Sequence, residues 1–269
     1  MGSLDMERLN CSVCGRSFAV VEGKPSFLDP EGQAAAEQDQ ASDKENAFLR
    51  FFKRWPTFYY WMTLIVVPIF YTGLTSKKFL LQSAEGERLL NVGSGATLLH
   101  PNVLNVDLFY YPNAHVLANA EHLPFPDNTF DRVCSDQVLE HLSAPRAVVA
   151  EMIRVTKPGG LIYSAAPFMY PLHPSPKDYT RWSVEGLAAM FAGHTVVESG
   201  VLIGPVSGMI SVLASGLSVI FSFGITFLRK ILHYVFMILV TPLKFLDIIF
   251  ARLPGAEDTA GNVYVVIKK

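Results

Sequence analysis

The chain has 269 residues and a formal net charge of -2. Half of it is hydrophobic and 17% is charged, which excludes an intrinsically disordered chain and a basic, nucleic-acid-coating one. The length suits one globular domain with attachments. A soluble domain carries about 25% charged residues, so charge is missing somewhere.

The shortage is local. Residues 55–76 and 199–228 contain no Lys, Arg, Asp or Glu, and residues 231–250 contain only Lys244 and Asp247. Residues 1–30 hold Cys11-x-x-Cys14 and a β-like run at Ser17–Val21. Structural zinc wants four ligands, and no second Cys-x-x-Cys exists, so no metal is expected unless another chain completes the site. This stretch is similar to one half of a short zinc-ribbon module, in degenerate form. The first twenty residues lack a long apolar core, so a reducing, cytoplasmic setting is expected.

Residues 31–82 read as a polar linker (31–48) followed by an aromatic-rich apolar helix with basic flanks. Residues 83–203 then alternate between strand and helix patterns. Strands are predicted at 88–92, 103–107, 115–118, 130–135 and 161–165. A helix is predicted at 144–156, with Ala147, Val148, Met152 and Ile153 on one face and Lys157-Pro158-Gly159-Gly160 as its stop. Ser183 should cap a helix running to Phe191, and 193–202 reads as a strand. An apolar helical insert (204–253) precedes the last strand, 262–268, in the closing segment 254–269. The pattern predicts an α/β, Rossmann-like, mostly parallel sheet. Only about a dozen residues separate Gly95 from Asp107, and fewer separate Asp107 from the third strand. A full crossover needs a dozen or more, so the early crossover helices should be stubs or missing. A parallel sheet wants both faces covered, so the charge-free segments are the candidates to cover the bare one.

The loop Gly93-Ser94-Gly95 follows the first core strand, where glycines allow close backbone approach to a ligand. The next strand ends in Asp107, suited to a ribose diol. A dinucleotide fingerprint would need glycine at position 98, which is Leu98, so an NAD-dependent enzyme is disfavoured. The runs LLNVGSG, NVDL, ANAEHLPFPDNTFDRVCSDQVLEHL and RVTKPGGLIYSAAP resemble, in order, the class I S-adenosylmethionine-dependent methyltransferases, and most closely their "type 11" subgroup. The resemblance covers roughly residues 87–200.

It implies S-adenosyl-L-methionine as cofactor. Asn91, Gly93, Ser94 and Gly95 would line its methionine part and Asp107 would hold the ribose. Asn119 and Ala120 would face the adenine, and Ser135, Asp136 and Gln137 would lie under the sulfonium. Asn91 and Asn119 replace residues that are usually acidic in the family. The segment 167–183 follows the fifth strand, at the carboxyl ends where such sheets bind ligands. It reads as a substrate loop with Tyr170, His173, Tyr179 and Arg181. His173 and His141 are the candidate bases. Asp178 is a weaker one, read first as the partner of Arg181.

The insert starts and ends at strands of one sheet, so any membrane crossings within it must be even in number. His233, Pro242, Lys244 and Asp247 make residues 231–250 a poor spanning helix. An in-plane or re-entrant hairpin at a membrane surface is therefore expected, with Gly200, Gly204 and Gly208 as a close-packing series and Arg229 and Lys230 facing lipid headgroups, the alternative being apolar faces buried on the sheet or in a dimer. The expected activity is methyl transfer to a small-molecule or lipid-linked acceptor, without nucleic acid and compatible with a homo-oligomer. The competing expectation is a non-catalytic cofactor-binding or membrane-associated scaffold.

Overall fold

The computed structural model describes residues 8–10, 15–29, 32–33, 69–95, 98–173 and 177–269. Cys11, Cys14, most of the linker and the bulk of the aromatic segment lie outside the described residues.

Ten strands form one sheet in the order β1-β2-β3-β6-β5-β4-β7-β8-β10-β9. The core strands are β4 (Leu89–Val92), β5 (Val103–Asp107), β6 (Val116–Leu117), β7 (Phe130–Asp136), β8 (Thr156–Pro167), β9 (Thr195–Ile203) and β10 (Asn262–Lys268). The run from β6 to β8 is parallel, and β10 pairs antiparallel with both β8 and β9. This is the Rossmann-like, mostly parallel α/β architecture expected. Lys157-Pro158-Gly159-Gly160 does end the helix α2 (Pro145–Val155), but it already belongs to β8, across an irregularity in the pairing with β7.

The N-terminal strands β1 (Arg8–Asn10), β2 (Ser17–Val21) and β3 (Lys24–Ser26) extend the sheet through a parallel pairing of Ser26 with Leu117. Lys24 Nζ donates to the carbonyls of Tyr111 and Pro112, each at 2.7 Å, and to that of Ala114. This extension thus holds the loop between β5 and β6.

Among the described residues no helix connects β4 to β5 or β5 to β6. One sheet face is covered by α2 and by α3 (Val184–Ala189), which bury Val148, Val149, Met152, Val155 and Leu187. Ser183 caps α3 by accepting the Gly186 N–H at 3.1 Å. The opposite face, which the absent helices would have covered, is covered by α1 (Ser76–Leu81) and the extended chain before it. Phe79 and Leu80 are fully buried there beside Ile69 and Leu74. Thr72 N–H donates to Leu202 O at 2.9 Å, which lays this chain beside β9. The end of the first charge-free segment, with Ile69 and Leu74, and the helix that follows it thus share the covering that the sheet requires.

The second charge-free segment behaves differently. α4 (Pro205–Phe221) and α5 (Thr226–Val240) form a hairpin, and the chain continues through 3₁₀ turns to α6 (Asp247–Phe250). α5 buries none of its residues. Of the 29 exposed large apolar side chains among the described residues, 21 lie between Met209 and Leu253, so the hairpin is an apolar projection rather than a sheet cover. The stretch Thr226–Phe250 is long and apolar enough to cross a membrane, with a mean hydropathy of 1.7.

The hairpin is pinned at its base by Asp247. This buried carboxylate accepts the Val206 and Ser207 N–H groups, each at 2.8 Å, and so caps α4 from the far end of the insert. An anion at this helix terminus satisfies two otherwise unpaired donors. Gly204 permits the approach, because a Cβ there would overlap the Asp247 carboxyl group. The expected glycine series is thereby reassigned. Gly200 lies within β9, Gly204 meets Asp247, and a Cβ on Gly208 would lie 2.9 Å from the Gly261 backbone.

Asp247→Ala should cost about 1–2 kcal/mol in chemical denaturation through loss of the cap. Gly204→Ala should cost about 1–3 kcal/mol through overlap. Wild-type stability in both variants would remove Asp247 as the anchor of the insert.

Candidate active site

The carboxyl ends of β4, β5, β6 and β7 surround a cavity of about 390 Å³. Its size falls in the range of small-ligand sites. Gly93 and Gly95 form one wall. Gly93 has φ +71°, and a Cβ there would lie 2.8 Å from Val138 Cγ1, so only glycine fits the turn. Gly95 N–H donates to Asp107 Oδ2 at 2.8 Å, and Phe109 N–H donates to Asp107 Oδ1 at 2.9 Å. Asp107 is 7% exposed, and burial pushes its carboxyl pKa upward against backbone hydrogen bonds from Phe109, Gly95 and Leu108. The carboxylate keeps acceptor capacity for a ligand hydroxyl.

Asn119 and Ala120 line the same cavity. Asn119 Oδ1 accepts the Glu121 N–H at 2.9 Å, which leaves Nδ2 for a ligand. Gln137 has φ +56°, a turn at the end of β7 that brings Gln137 and Val138 to the cavity. Apolar walls come from Phe109, Val138 and Leu142, which the sequence reading did not single out.

Four expected cofactor residues lie behind this wall. Asn91 is buried in the sheet in register with Asn105 and Cys134. Its Nδ2 donates to Asn105 Oδ1 at 3.1 Å, and its Oδ1 accepts from Cys134 Sγ at 3.3 Å. Strand alternation turns this side chain toward the α1 face. Ser94 Oγ donates to Gly95 O at 3.4 Å, and Ser135 Oγ is buried without a partner. Asp136 Oδ2 accepts from Ser76 Oγ at 2.6 Å, which directs the carboxyl group toward α1.

The segment between β8 and α3 forms the opposite rim. Arg181 pairs with Asp178 through both guanidinium nitrogens, with Nη2 to Oδ2 at 2.7 Å. The pair lowers the Asp178 pKa to about 2. Arg181 Nη2 also donates to Pro171 O at 3.2 Å, and Asp178 Oδ2 accepts the His173 N–H at 2.8 Å. Asp178 is thus engaged by Arg181 and by the His173 backbone, an arrangement that braces the loop. Tyr179 lines the first cavity together with His141. Tyr170 and His173 line a second cavity of about 290 Å³, closed by Ser211, Arg229, Lys230 and His233 of the hairpin.

The rings of His141 and His173 meet edge to face at 5.1 Å, so the two candidate bases sit between the cavities. Beneath them lies Glu140, with no exposed side-chain surface. The sequence reading quoted it in LEHL without giving it a role. Only its position beside His141 could have signalled it.

A glycine loop, a carboxylate at the next strand end and an asparagine at the third strand match a ribose-bearing ligand without pyrophosphate. On this Rossmann-like fold, residues 93–164 carry the match to a methyltransferase domain, and the cavity is the candidate S-adenosylmethionine site. The donor set fits the cofactor: a buried carboxylate with acceptor capacity, an amide and an apolar slot.

Residues 93–164 match the family model described as a methyltransferase domain. The chain is 56% identical over 46 residues to an uncharacterised methyltransferase of Schizosaccharomyces pombe, covering 17% of this chain and 16% of that one. It is 38% identical over 76 residues to a demethylmenaquinone methyltransferase of Renibacterium salmoninarum, covering 28% and 32%. Each match thus spans about a third or less of these curated relatives. Among solved structures, it is similar to a Haemonchus contortus phosphoethanolamine N-methyltransferase in complex with S-adenosyl-L-methionine. That match has a TM-score of 0.47 and 19% identity over 82% of this chain and 60% of the other.

Burial raises the Asp136 pKa to about 6, with Glu140 adding to the shift. The folded state thus holds this proton more tightly than the unfolded chain does. Its contribution is most favourable below about pH 4 and is lost as pH rises toward 6. Asp136→Asn keeps the acceptor for Ser76 and removes the titration. Relative to wild type it should gain up to about 3 kcal/mol across that window, read from denaturation curves at stepped pH. A constant difference between the two proteins would refute the buried charge.

Proposed function

We propose that this protein transfers a methyl group from S-adenosylmethionine to an amphiphilic small-molecule or lipid-linked acceptor at the cytoplasmic surface of a membrane. The carrying observation is the pair of cavities on either side of His141 and His173. One has the donor set for the cofactor. The other lies between the substrate loop and an exposed apolar hairpin.

Bound cofactor supplies an electrophilic methyl group on a sulfonium. Asp107 holds the ribose hydroxyls, Asn119 and Ala120 face the adenine edge, and the backbone at Gly93–Gly95 takes the amino-acid part. Catalysis is then chiefly a matter of holding the acceptor in line with the methyl group. The rigid loop braced by Asp178 and Arg181 supports that positioning. An acceptor that loses a proton passes it to the His141 and His173 pair. Arg229, Lys230 and His233 suit a polar or anionic head, and the apolar flank of the hairpin suits a hydrophobic body. The quinone acceptors in the names of several relatives are consistent with such a molecule.

Calorimetry should detect S-adenosylmethionine binding, and Asp107→Ala should weaken it by at least about 100-fold, the low end for two lost hydrogen bonds to a charged group. Unchanged affinity would refute the ribose assignment. For the membrane, Phe223, Phe227 and Leu239 are 85%, 74% and 67% exposed. Wild type should float with lipid vesicles. The triple replacement of these residues by Asp should stay at the bottom of the gradient with its melting temperature retained. Flotation of that variant, or none by wild type, would refute the membrane reading.

A further inference from the structure

We propose that Glu140, His141 and His173 form a binding site for one divalent transition-metal ion of the zinc type. Glu140 follows β7 in a 3₁₀ turn, Leu139–His141. Its carboxylate is fully buried, and among the described residues neither oxygen has a hydrogen-bond donor. Burying an unpaired carboxylate is costly, so something must compensate it.

The neighbouring imidazoles do not do so as placed. His141 Nε2 is 3.8 Å and His173 Nε2 is 3.6 Å from Glu140 Oε1. Both distances exceed those of an N–H···O hydrogen bond. The opposite nitrogens fix the tautomers. His141 Nδ1 faces Lys177 O at 2.6 Å, and His173 Nδ1 faces Pro171 O at 3.3 Å and Asp178 Oδ2 at 3.4 Å. These oxygens only accept, so each Nδ1 carries a hydrogen and Nε2 is the ring nitrogen turned toward Glu140. Three potential ligand atoms, one from each side chain, therefore lie within 4.8 Å of one another.

That is the arrangement of a metal site. Imidazole ligands donate their other ring N–H to a carbonyl or carboxylate, which fixes ring and tautomer. Ligand atoms about 2.1 Å from one ion lie about 3.0–3.5 Å apart, so the widest pair of the trio would draw in by on the order of 1.5 Å on binding. Two nitrogens and one carboxylate suit zinc, iron or cobalt rather than magnesium or calcium. His141 borders the cofactor cavity and His173 the second cavity, so the open coordination positions lie between the two. There the ion would seat and acidify an oxygen of the acceptor, its proton leaving to solvent, and with the ion bound the two histidines would act as ligands in place of proton acceptors. That role rests on the methyl-transfer reading, whereas metal binding does not.

The test is cobalt titration of the tag-free, chelator-treated full chain, with Cys11→Ser and Cys14→Ser removing thiolate ligands. The expected result is visible d–d absorption saturating near one equivalent and displaced by zinc. His173→Ala should abolish it, with cofactor affinity by calorimetry within twofold of the parent. Glu140→Gln should do the same where its melting curve shows a folded protein. Absence of the bands in the parent, or bands that survive His173→Ala, would overturn the site and leave a proton shared by the trio as its content. Cobalt binding without S-adenosylmethionine binding would keep the metal site and refute the methyltransferase reading instead.

Discussion

A parallel sheet must be covered on both faces, and this chain provides no helix between β4 and β5 or between β5 and β6 among its described residues. Much of the architecture answers that constraint. α1 and the extended residues before it lie on the face that would otherwise be bare, with Phe79, Leu80, Ile69 and Leu74 against the strands. The short connections then run directly over the carboxyl ends of the strands. One ties Gly95 to Asp107, and the next is held by Lys24 from the N-terminal extension. The cofactor cavity thus has walls of loop and backbone amide where a longer chain would have used helices.

With the sheet covered from elsewhere, the apolar hairpin is free of that duty. It is fixed at its base by Asp247 at the start of α4 and by close backbone approach at Gly208 and Gly261. Phe70 adds an aromatic contact to Phe245, with ring centroids at 5.9 Å. Beyond this base the helices expose apolar surface and meet the loop between β8 and α3 around a cavity carrying Arg229, Lys230 and His233. The apolar surface and the site are therefore joined through Tyr170 and His173.

Periodicity and turn chemistry predicted the core well. The strands at 103–107 and 262–268 and the Ser183 cap stand where alternation and the serine signal placed them. The glycine loop, Asp107, Asn119, Ala120 and Gln137 line the cavity because each sits at or just beyond a strand end. Asn91, Ser135 and Asp136 fall within strands, where alternation decides which way a side chain points. For Asn91 the direction is into a row with Asn105 and Cys134. The amide in place of an acid there meets the hydrogen-bonding needs of the sheet interior. Asp247 read as a charge unfavourable to a spanning helix, and its capping of α4 was illegible because 40 residues separate donor and acceptor. Glu140 was missed for a similar reason, since its burial depends on a loop that returns after β8.

The account's central claim is methyl transfer to an amphiphile held between the two cavities. Its most direct test is incubation of the purified protein with methyl-labelled S-adenosylmethionine and a total lipid extract, followed by solvent partition. Label should appear in the organic phase with wild-type protein and be absent with Asp107→Ala. A protein that binds the cofactor yet leaves the organic phase unlabelled, or labels only water-soluble compounds, would contradict the account.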